Sequence, residues 1–267
     1  MGIVNVNDDS FSGDGSLDVD ITLTRIKNLI AQGADIIDLG AESARTNRGP
    51  IAVTEELARL RPIVEKFDRV SSDSRPRDPE QIFPPLLSIN TWRPGVARAI
   101  LPSGGDILND MGALPTLENA EICAQHDVAL VILHSVGQPK EPHFHLSYSD
   151  IMAELLAFFR EKTSAALAVG LKLENLILDP GIDFAKQRDD NLKIYRHFEE
   201  IAALGHTTML PVSRKTVIGD VLNIPPAERD AGTVACIVAG AMRGAKMFRV
   251  HNVDAAWQTL KTLEALR

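Results

Sequence analysis

The sequence predicts a single (β/α)8 barrel, and three observations support this fold class. Eight short runs rich in apolar and β-branched residues occur along the chain. Stretches with the 3.6-residue period of amphipathic helices lie between them, so the two kinds of element alternate. The length of 267 residues also agrees, because such barrels typically need about 250 residues.

The eight runs have the length and composition of buried parallel strands, which are apolar on both faces. In chain order they cover residues 2–6, 34–40, 86–90, 106–110, 129–134, 175–181, 207–213 and 246–251. Helical periodicity follows the first run at Val19, Leu23, Ile26 and Ile30, with Gly33 placed where a helix commonly ends. A similar period follows the fifth run from Ile151, and residues 253–266 close the chain in the same manner. Strict alternation predicts eight helical segments to match the eight strands.

The alternative architecture is a doubly wound open sheet, which would carry a Gly-x-Gly-x-x-Gly turn after its first strand. Gly13 and Gly15 come too late for that turn and do not form the pattern. Residues 69–85 contain four prolines and mixed charges, and we interpret them as a surface excursion before the third strand. No repeat or linker divides the chain, so residues 1–267 are expected to form one barrel domain.

Composition excludes several function classes. The 28 Lys and Arg residues against 36 Asp and Glu give a formal charge of -8, which argues against a nucleic-acid partner. No apolar run approaches the roughly 20 residues of a membrane span, so no membrane association is expected. Cys123 and Cys236 are too far apart for a CxxC site, which indicates a reducing, cytoplasmic location.

Polar side chains stand at or near the ends of the predicted strands, where a barrel of this kind builds its active site. Such groups have no structural use in a buried strand, because each one left unpaired costs roughly 1–3 kcal/mol. They are Asn5, Asp38, Asn90, Asn109, Asp110, His134, Asp179, Ser213, Arg214, Lys215, Arg249 and His251. Taken singly, each of these residues has a structural alternative to a role in the site. That alternative is helix capping or binding of loop amides for Asp38 and Asp110, a core histidine for His134, and turn chemistry before Pro180 for Asp179.

Together, the strand-end polar residues indicate a pocket with two halves. Asn90, Asn109 and Asp179 offer the alternating donors and acceptors that a planar heterocycle needs. A cationic half suits an anionic group and consists of Arg45, Lys215, Arg249 and His251. Arg214 and Lys215 are adjacent cations that would repel each other unless an anionic or aromatic group lay between them. A pterin carrying a phosphate matches both halves.

Eight motifs in order resemble those of the dihydropteroate synthase family, and the resemblance covers nearly the whole chain. They are GIVNVNDDSFSGDG, DIIDLGAESAR, SINTWRPGVA, ILNDMGAL, VILHSVGQP, ILDPGIDFAK, PVSRKTVIG and FRVHNV. The resemblance implies a folate-biosynthesis transferase that condenses 6-hydroxymethyl-7,8-dihydropterin diphosphate with p-aminobenzoate. The products would be dihydropteroate and pyrophosphate, with Mg²⁺ as cofactor, in a cytoplasmic homodimeric barrel.

The resemblance also implies roles for individual residues, with Lys215, Arg249 and Asp179 expected to be catalytic. Asn5 corresponds to the metal-binding asparagine, Arg45 and His251 to diphosphate contacts, and Asn90, Asn109, Asp179 and Lys215 to pterin contacts. Arg249 resembles the arginine that stacks on the pterin ring. Thr216 occupies the place that receives the benzoate carboxylate, and Phe11 resembles the aromatic residue of a mobile loop.

Five positions depart from the family pattern. Asn90 stands where the family usually has Asp, Ala44 replaces a hydroxyl residue, Thr46 a proline, Asp183 a glycine and Asn252 an aspartate. Two alternatives to a synthase therefore stay open: a divergent pterin-binding paralogue without synthase activity, and a methyltetrahydrofolate-dependent methyltransferase. The SRKTVIG and FRVHNV motifs favour the synthase, because a protein that binds only the pterin has no use for a cationic half.

Overall fold

The structure is a computed structural model that describes residues 1–7, 15–42, 49–141 and 146–266. Its eight strands are all parallel and lie in chain order around one sheet. They are β1 (Gly2–Asn5), β2 (Ile36–Gly40), β3 (Leu86–Asn90), β4 (Ile107–Asp110), β5 (Ala129–Leu133), β6 (Leu176–Asp179), β7 (Thr207–Pro211) and β8 (Met247–Arg249). β8 returns to β1 through a parallel bridge between Gly2 and Val250, so the sheet closes. The predicted (β/α)8 barrel is confirmed.

Helices surround the sheet. In the described ranges they are α1 (Val19–Ala31), α2 (Val53–Ser72), α3 (Pro94–Ile100), α4 (Glu118–His126), α5 (Ile151–Ala168), α6 (Arg188–Arg196), α7 (Phe198–Ala202), α8 (Thr216–Leu222), α9 (Asp230–Met242) and α10 (Val253–Ala265). The predicted number of eight helical segments is too low, because the segments that follow β6 and β7 each contain two helices. His197, with φ −121° and ψ 24°, separates α6 from α7, and Pro225 and Pro226 separate α8 from α9. No helix in these ranges is long and apolar enough to cross a membrane.

Some strands end earlier than the predicted runs, at points where turn residues follow. Gly181 has φ +66°, so β6 ends at Asp179 and the chain turns away from the sheet. This turn leaves the Asp179 side chain at the carboxyl end of the strand, where it faces the mouth of the barrel. Elsewhere the boundaries agree within two or three residues, as is usual for element ends.

Alternation along the strands divides the barrel interior into layers, because successive side chains point to opposite faces. A lower layer is apolar and consists of Ile36, Ile107, Val131, Ile177 and Met209. Polar residues lie above it on the same inward positions, as Asp38 follows Ile36 and Asn109 follows Ile107. The larger apolar cluster packs between the outer faces of the strands and the helices. Most of the apolar core therefore lies between the strands and the surrounding helices, and the polar groups lie at the mouth of the barrel.

The 69–85 segment forms its surface excursion later than predicted, because α2 continues through Ser72. The excursion is anchored to the lower end of the barrel by Gln81, whose Nε2 donates to the carbonyl oxygens of Ile30 (3.0 Å) and Ala34 (2.9 Å). Trp257 of α10 adds a hydrogen bond from Nε1 to Asp78, at 2.9 Å. These contacts lie at the end of the barrel opposite the polar strand ends.

Candidate active site

A cavity of about 800 Å³ occupies the carboxyl ends of the strands. Eight of the ten predicted site residues line it: Asn5, Asn90, Asn109, Asp179, Lys215, Thr216, Arg249 and His251. Arg45 and Phe11 lie outside the described residues, as do Ala44 and Thr46. The structure thus brings together every predicted site residue that it describes, from five strands (β1, β3, β4, β6 and β8) and the segments that follow β7 and β8.

Asp38 is the centre of the buried hydrogen-bond network beneath this cavity. Its side chain is fully buried. Its carboxylate accepts from Ser88 Oγ (2.6 Å), Asn90 Nδ2 (3.2 Å), Asn109 Nδ2 (3.1 Å) and Arg249 Nε (2.7 Å). Burial alone would raise the pKa of Asp38, but Arg249 and the hydrogen-bond donors outweigh burial and hold the pKa below its usual value. Asp38 is therefore an ionised acceptor and does not cap a helix.

The network fixes how two amides face the cavity. A carboxylate only accepts hydrogen bonds, so the NH₂ groups of Asn90 and Asn109 must point toward Asp38. Their carbonyl oxygens are buried and have no hydrogen-bond partner in the described part of the chain. Two buried acceptors on the cavity wall are thus left for a donor from a ligand, which would relieve a cost of roughly 1–3 kcal/mol for each atom.

Asp179 supplies a third acceptor to the same cavity. Only 1% of its surface is exposed, and its Oδ1 accepts from the backbone N–H of Gly181 at 2.7 Å. Burial raises the pKa of Asp179 to about 6, although the Gly181 amide and the charges of Lys215, Lys186 and Arg249 oppose the increase. Turn chemistry is thus part of its role, but the carboxylate also lines the cavity.

The adjacent cations of the Ser213-Arg214-Lys215 cluster are separated by backbone geometry. Arg214 has φ +54°, and its Nε pairs with Asp230 Oδ1 at 2.8 Å. Lys215 instead donates from Nζ to the carbonyl oxygen of Ile182 at 2.8 Å, with the Phe184 ring 5.3 Å away. Burial lowers the pKa of Lys215, whereas Asp183 and Asp179 act to raise it. Each cation therefore has an anionic or aromatic neighbour of its own, Asp230 for Arg214 and Phe184 for Lys215.

His251 and Arg249 extend the cationic side of the cavity. The Nδ1 atom of His251 lies 2.8 Å from Ser213 Oγ, and its backbone N–H donates to the same hydroxyl at 3.1 Å. Arg249 pairs through Nε with Asp38, so its guanidinium is anchored at the cavity wall. These contacts hold both side chains at the mouth of the barrel, next to Lys215.

Two other strand-end residues have structural roles. His134 is buried, packs edge-on against Phe158 and lies 2.9 Å from Lys186 Nζ through its Nδ1. Burial, with Lys186, lowers its pKa to about 3, so the imidazole is neutral. Asp110 accepts from the backbone N–H of Gly112 at 2.7 Å, which confirms loop binding as its role.

The sequence interpretation missed Lys186 and the role of Ser213 in the site. Lys186 is a buried amine on the cavity wall, and its Nζ also donates to the carbonyl oxygens of His134 and Phe184. Burial lowers the pKa of Lys186 to about 7. The sequence places Ser213 among the strand-end polar residues but does not indicate that its hydroxyl holds His251. Both residues stand inside the quoted motifs, which was the available signal.

Comparison with known proteins decides the family. The pattern of the family described as pterin binding enzyme matches residues 1–251. The chain belongs to this family. It is 34% identical over 268 residues to the dihydropteroate synthase of Bacillus subtilis (strain 168), and the match covers 100% of this chain and 87% of the relative.

Solved structures agree with the family assignment. A dihydropteroate synthase from Clostridium difficile, crystallised in the presence of pteroic acid, superposes with a TM-score of 0.87 at 33% identity and covers 100% of this chain and 95% of its own. The enzyme from Thermus thermophilus, in complex with 4-aminobenzoate, superposes with a TM-score of 0.86 at 34% identity. That match covers 100% of this chain and 93% of the other. The pterin-binding family member described here is thus an enzyme of the transferase class.

Proposed function

We propose that the chain is a dihydropteroate synthase of folate biosynthesis. It joins 6-hydroxymethyl-7,8-dihydropterin diphosphate to p-aminobenzoate and releases pyrophosphate. The observation that carries the proposal is the set of convergent acceptors in the cavity, namely the carbonyl oxygens of Asn90 and Asn109 and the carboxylate of Asp179. A pterin is rich in N–H donors along one edge, which is the chemistry that such a wall would bind.

In this proposal Asp179 accepts from the ring N–H and the 2-amino group of the pterin, as a paired and charge-assisted contact. Arg249 lies over the ring, with its guanidinium anchored by Asp38. Lys215 and Arg249 also offset the charge of Asp179, so the pterin meets an ionised carboxylate at neutral pH. The acceptor side of the pocket thus orients the pterin and directs its exocyclic methylene toward the cations at the mouth.

The reaction needs no protein nucleophile. The bond between the methylene carbon and the diphosphate oxygen breaks, and the electron pair leaves with the diphosphate. His251, with Arg45 as the family resemblance implies, stabilises the negative charge that builds on the leaving group. The amine nitrogen of p-aminobenzoate forms the new bond to the methylene carbon and then loses a proton. Thr216 would receive the benzoate carboxylate at the edge of the cavity.

A magnesium ion fits this site if the substrate supplies most of the ligands. The described residues contain no group of three or more His, Cys, Asp or Glu side chains that could hold a metal on their own. Asn5 lines the cavity and offers one amide oxygen. Mg²⁺ commonly binds through one or two protein groups together with substrate phosphates and waters. When bound with the diphosphate, it would neutralise charge on the leaving group.

The remaining features of the proposal concern the whole molecule. We infer one barrel domain over residues 1–267, since the larger apolar cluster runs from Val4 to Ala256. A homodimer is supported by the apolar outer side of α9, where Met242 is 69% exposed. A cytoplasmic location is supported by Cys123 and Cys236, which are free thiols. Light scattering of the purified protein tests the dimer.

Pyrophosphate release is the direct test of the proposed function. The protein is incubated with the pterin diphosphate and Mg²⁺, with and without p-aminobenzoate, and released pyrophosphate is measured. A synthase releases pyrophosphate in proportion to dihydropteroate and depends on the amine. Binding of the pterin without amine-dependent release would instead identify a pterin-binding paralogue without synthase activity.

A further inference from the structure

Asp183 places a carboxylate on the backbone amides at the edge of the cavity. It lies in the loop after β6, in the left-handed region at φ +69°. Its Oδ2 accepts from the backbone N–H of Thr216 at 2.6 Å, and its Oδ1 lies 3.4 Å from the backbone nitrogen of Val217. Asp183, Thr216 and Lys215 all line the cavity. The donor of Thr216 is therefore already used by an acidic group of the protein.

A second element locks the Asp183 side chain in this position. Asn191 of α6 donates from Nδ2 to Asp183 Oδ1 at 3.2 Å and accepts from the Asp183 backbone N–H at 2.9 Å. Asn191 is buried, so this reciprocal pair is shielded from solvent. The carboxylate is thus held from two sides, by α6 and by the start of α8, and it is not a freely rotating surface group.

This arrangement conflicts with an anionic second substrate. In the proposed function the carboxylate of p-aminobenzoate meets Thr216, but a backbone N–H has one hydrogen to donate. The benzoate would have to displace Asp183 from Thr216 and approach its negative charge, and close like charges oppose binding. An uncharged aromatic amine with an N–H donor in place of the carboxylate, such as a carboxamide, can instead donate to Asp183.

Resting on the proposed function, we propose that Asp183 determines specificity for the second substrate. It weakens binding of carboxylate-bearing aromatic amines and extends the substrate class to uncharged, donor-bearing aromatic amines. The position is suited to the role, because glycine adopts φ +69° without strain and would leave the Thr216 amide to the substrate. At position 183 the chain has Asp where the family pattern has glycine, so the two proposed specificities differ by one side chain.

The test compares 4-aminobenzoate with 4-aminobenzamide in the wild type, Asp183→Asn and Asp183→Gly. Calorimetry measures the affinity of each amine for protein saturated with a pterin and pyrophosphate, and steady-state kinetics measures KM for each amine. We expect the preference for benzoate over benzamide to rise by about tenfold or more in Asp183→Gly. Asp183→Asn should lie between, because asparagine tolerates the left-handed backbone and still accepts from Thr216 but carries no charge.

Asp220→Asn is the matched control. Asp220 also lines the cavity, on α8, and this change removes one negative charge without touching the Thr216 amide. Its amine preference should equal that of the wild type. An unchanged ratio of affinities in both Asp183 variants, or an equal change for both amines, would overturn the proposal and leave Asp183 as a structural cap.

The experiment distinguishes a failure of the Asp183 proposal from a failure of the proposed function. Pyrophosphate release by the wild type with either amine judges the synthase reaction, whereas the ratio of the two affinities judges Asp183 without any turnover. A wild type that binds neither amine is still informative, because Asp183→Gly must then gain affinity for the benzoate if the proposal holds.

Discussion

Replacing Asn90 by Asp tests the central network, because this change restores the residue usual in the family pattern. The Nδ2 atom of Asn90 lies 3.2 Å from Asp38 Oδ2. The change converts a donor into a second carboxylate oxygen at the same place. If the pocket lacked a neighbour for the amide, the new charge would steady a cationic pterin and raise turnover by about tenfold or more. The contact with Asp38 predicts the opposite.

The distance between the two side chains sets the size of the expected repulsion. Two unit charges at 3.2 Å repel by about 5 kcal/mol at an effective dielectric constant of about 20. That energy corresponds to a rise of roughly 3–4 units in one carboxyl pKa, which moves it from about 3.9 to around 7. Arg249 offsets part of the repulsion. The pair therefore holds one proton below about pH 7 and both carboxylates are ionised above it.

The sign of the pH dependence follows from this assignment. Below about pH 7 the protonated carboxyl donates to Asp38 as the amide does, so pterin affinity and kcat/KM should approach those of the wild type. Above about pH 7 the second ionisation strains the network, and kcat/KM should fall by about tenfold for each pH unit. Steady-state kinetics between roughly pH 5.5 and 9 measures both limbs, and wild-type protein supplies the reference profile.

Two further variants isolate the cause. Asn109→Asp is the matched substitution, since Asn109 Nδ2 lies 3.1 Å from the other oxygen of Asp38, and it should show the same alkaline loss. Combining Asn90→Asp with Asp38→Asn leaves one carboxylate in the pair and should remove that loss. A pH-independent rise in turnover of Asn90→Asp would refute the reasoning, because it would mean that Asp38 does not sense the new charge.

The remaining predictions concern binding and stability. Asp179→Ala should cost on the order of 2–4 kcal/mol of pterin affinity by calorimetry. In the wild type that affinity should fall as the pH drops through about 6, where Asp179 becomes protonated, and unchanged affinity well below that pH would contradict this role. Gln81→Ala removes the side-chain donor to the carbonyl oxygens of Ile30 and Ala34. The Ile30 oxygen keeps the backbone N–H of Gly33, so the change leaves the Ala34 oxygen without this donor and should lower the free energy of unfolding by roughly 1–3 kcal/mol in urea titrations, with pterin affinity unchanged. Arg93 pairs with the buried carboxylates of Glu42 and Glu56, both at 2.6 Å, so Arg93→Ala should destabilise by about 3–5 kcal/mol, and a change below about 1 kcal/mol would count against it.

The barrel and the location of its site are predictable from sequence for a physical reason. Parallel strands buried on both faces are apolar throughout, so a polar residue at a strand end stands out. Because the carboxyl ends of all eight strands meet at one mouth, residues as distant in sequence as Asn5 and Arg249 can be placed in one cavity without any contact information. The structure bears this placement out for each described site residue.

The pairing inside the cavity is not predictable in the same way. Asp38 binds Arg249 across 211 positions of the chain, and only the register of the closed sheet brings the two together. At the sequence level a carboxylate near the end of the second strand could also cap a helix, and the buried donors that exclude that role for Asp38 lie on β3, β4 and β8. The separate partners of Arg214 and Lys215 likewise depend on the local fold, which includes a backbone φ of +54° at Arg214 that sequence composition does not specify.

Asp38 and Asp179, two of the buried carboxylates near the barrel mouth, have different roles because their surroundings differ. Asp38 has a direct guanidinium partner and three further side-chain donors, so its pKa is lowered and it stays ionised without a ligand. Asp179 has the Gly181 amide and more distant cations, and its pKa rises to about 6. A ligand that brings paired N–H donors therefore gains most at Asp179, where the carboxylate is still short of donors. Asp38 gains nothing from the ligand directly, but it orients Asn90 and Asn109 so that their carbonyl oxygens complete the acceptor edge that Asp179 begins. In the proposed function, the specificity for a donor-rich heterocycle thus depends on Asp38, a residue that does not line the cavity.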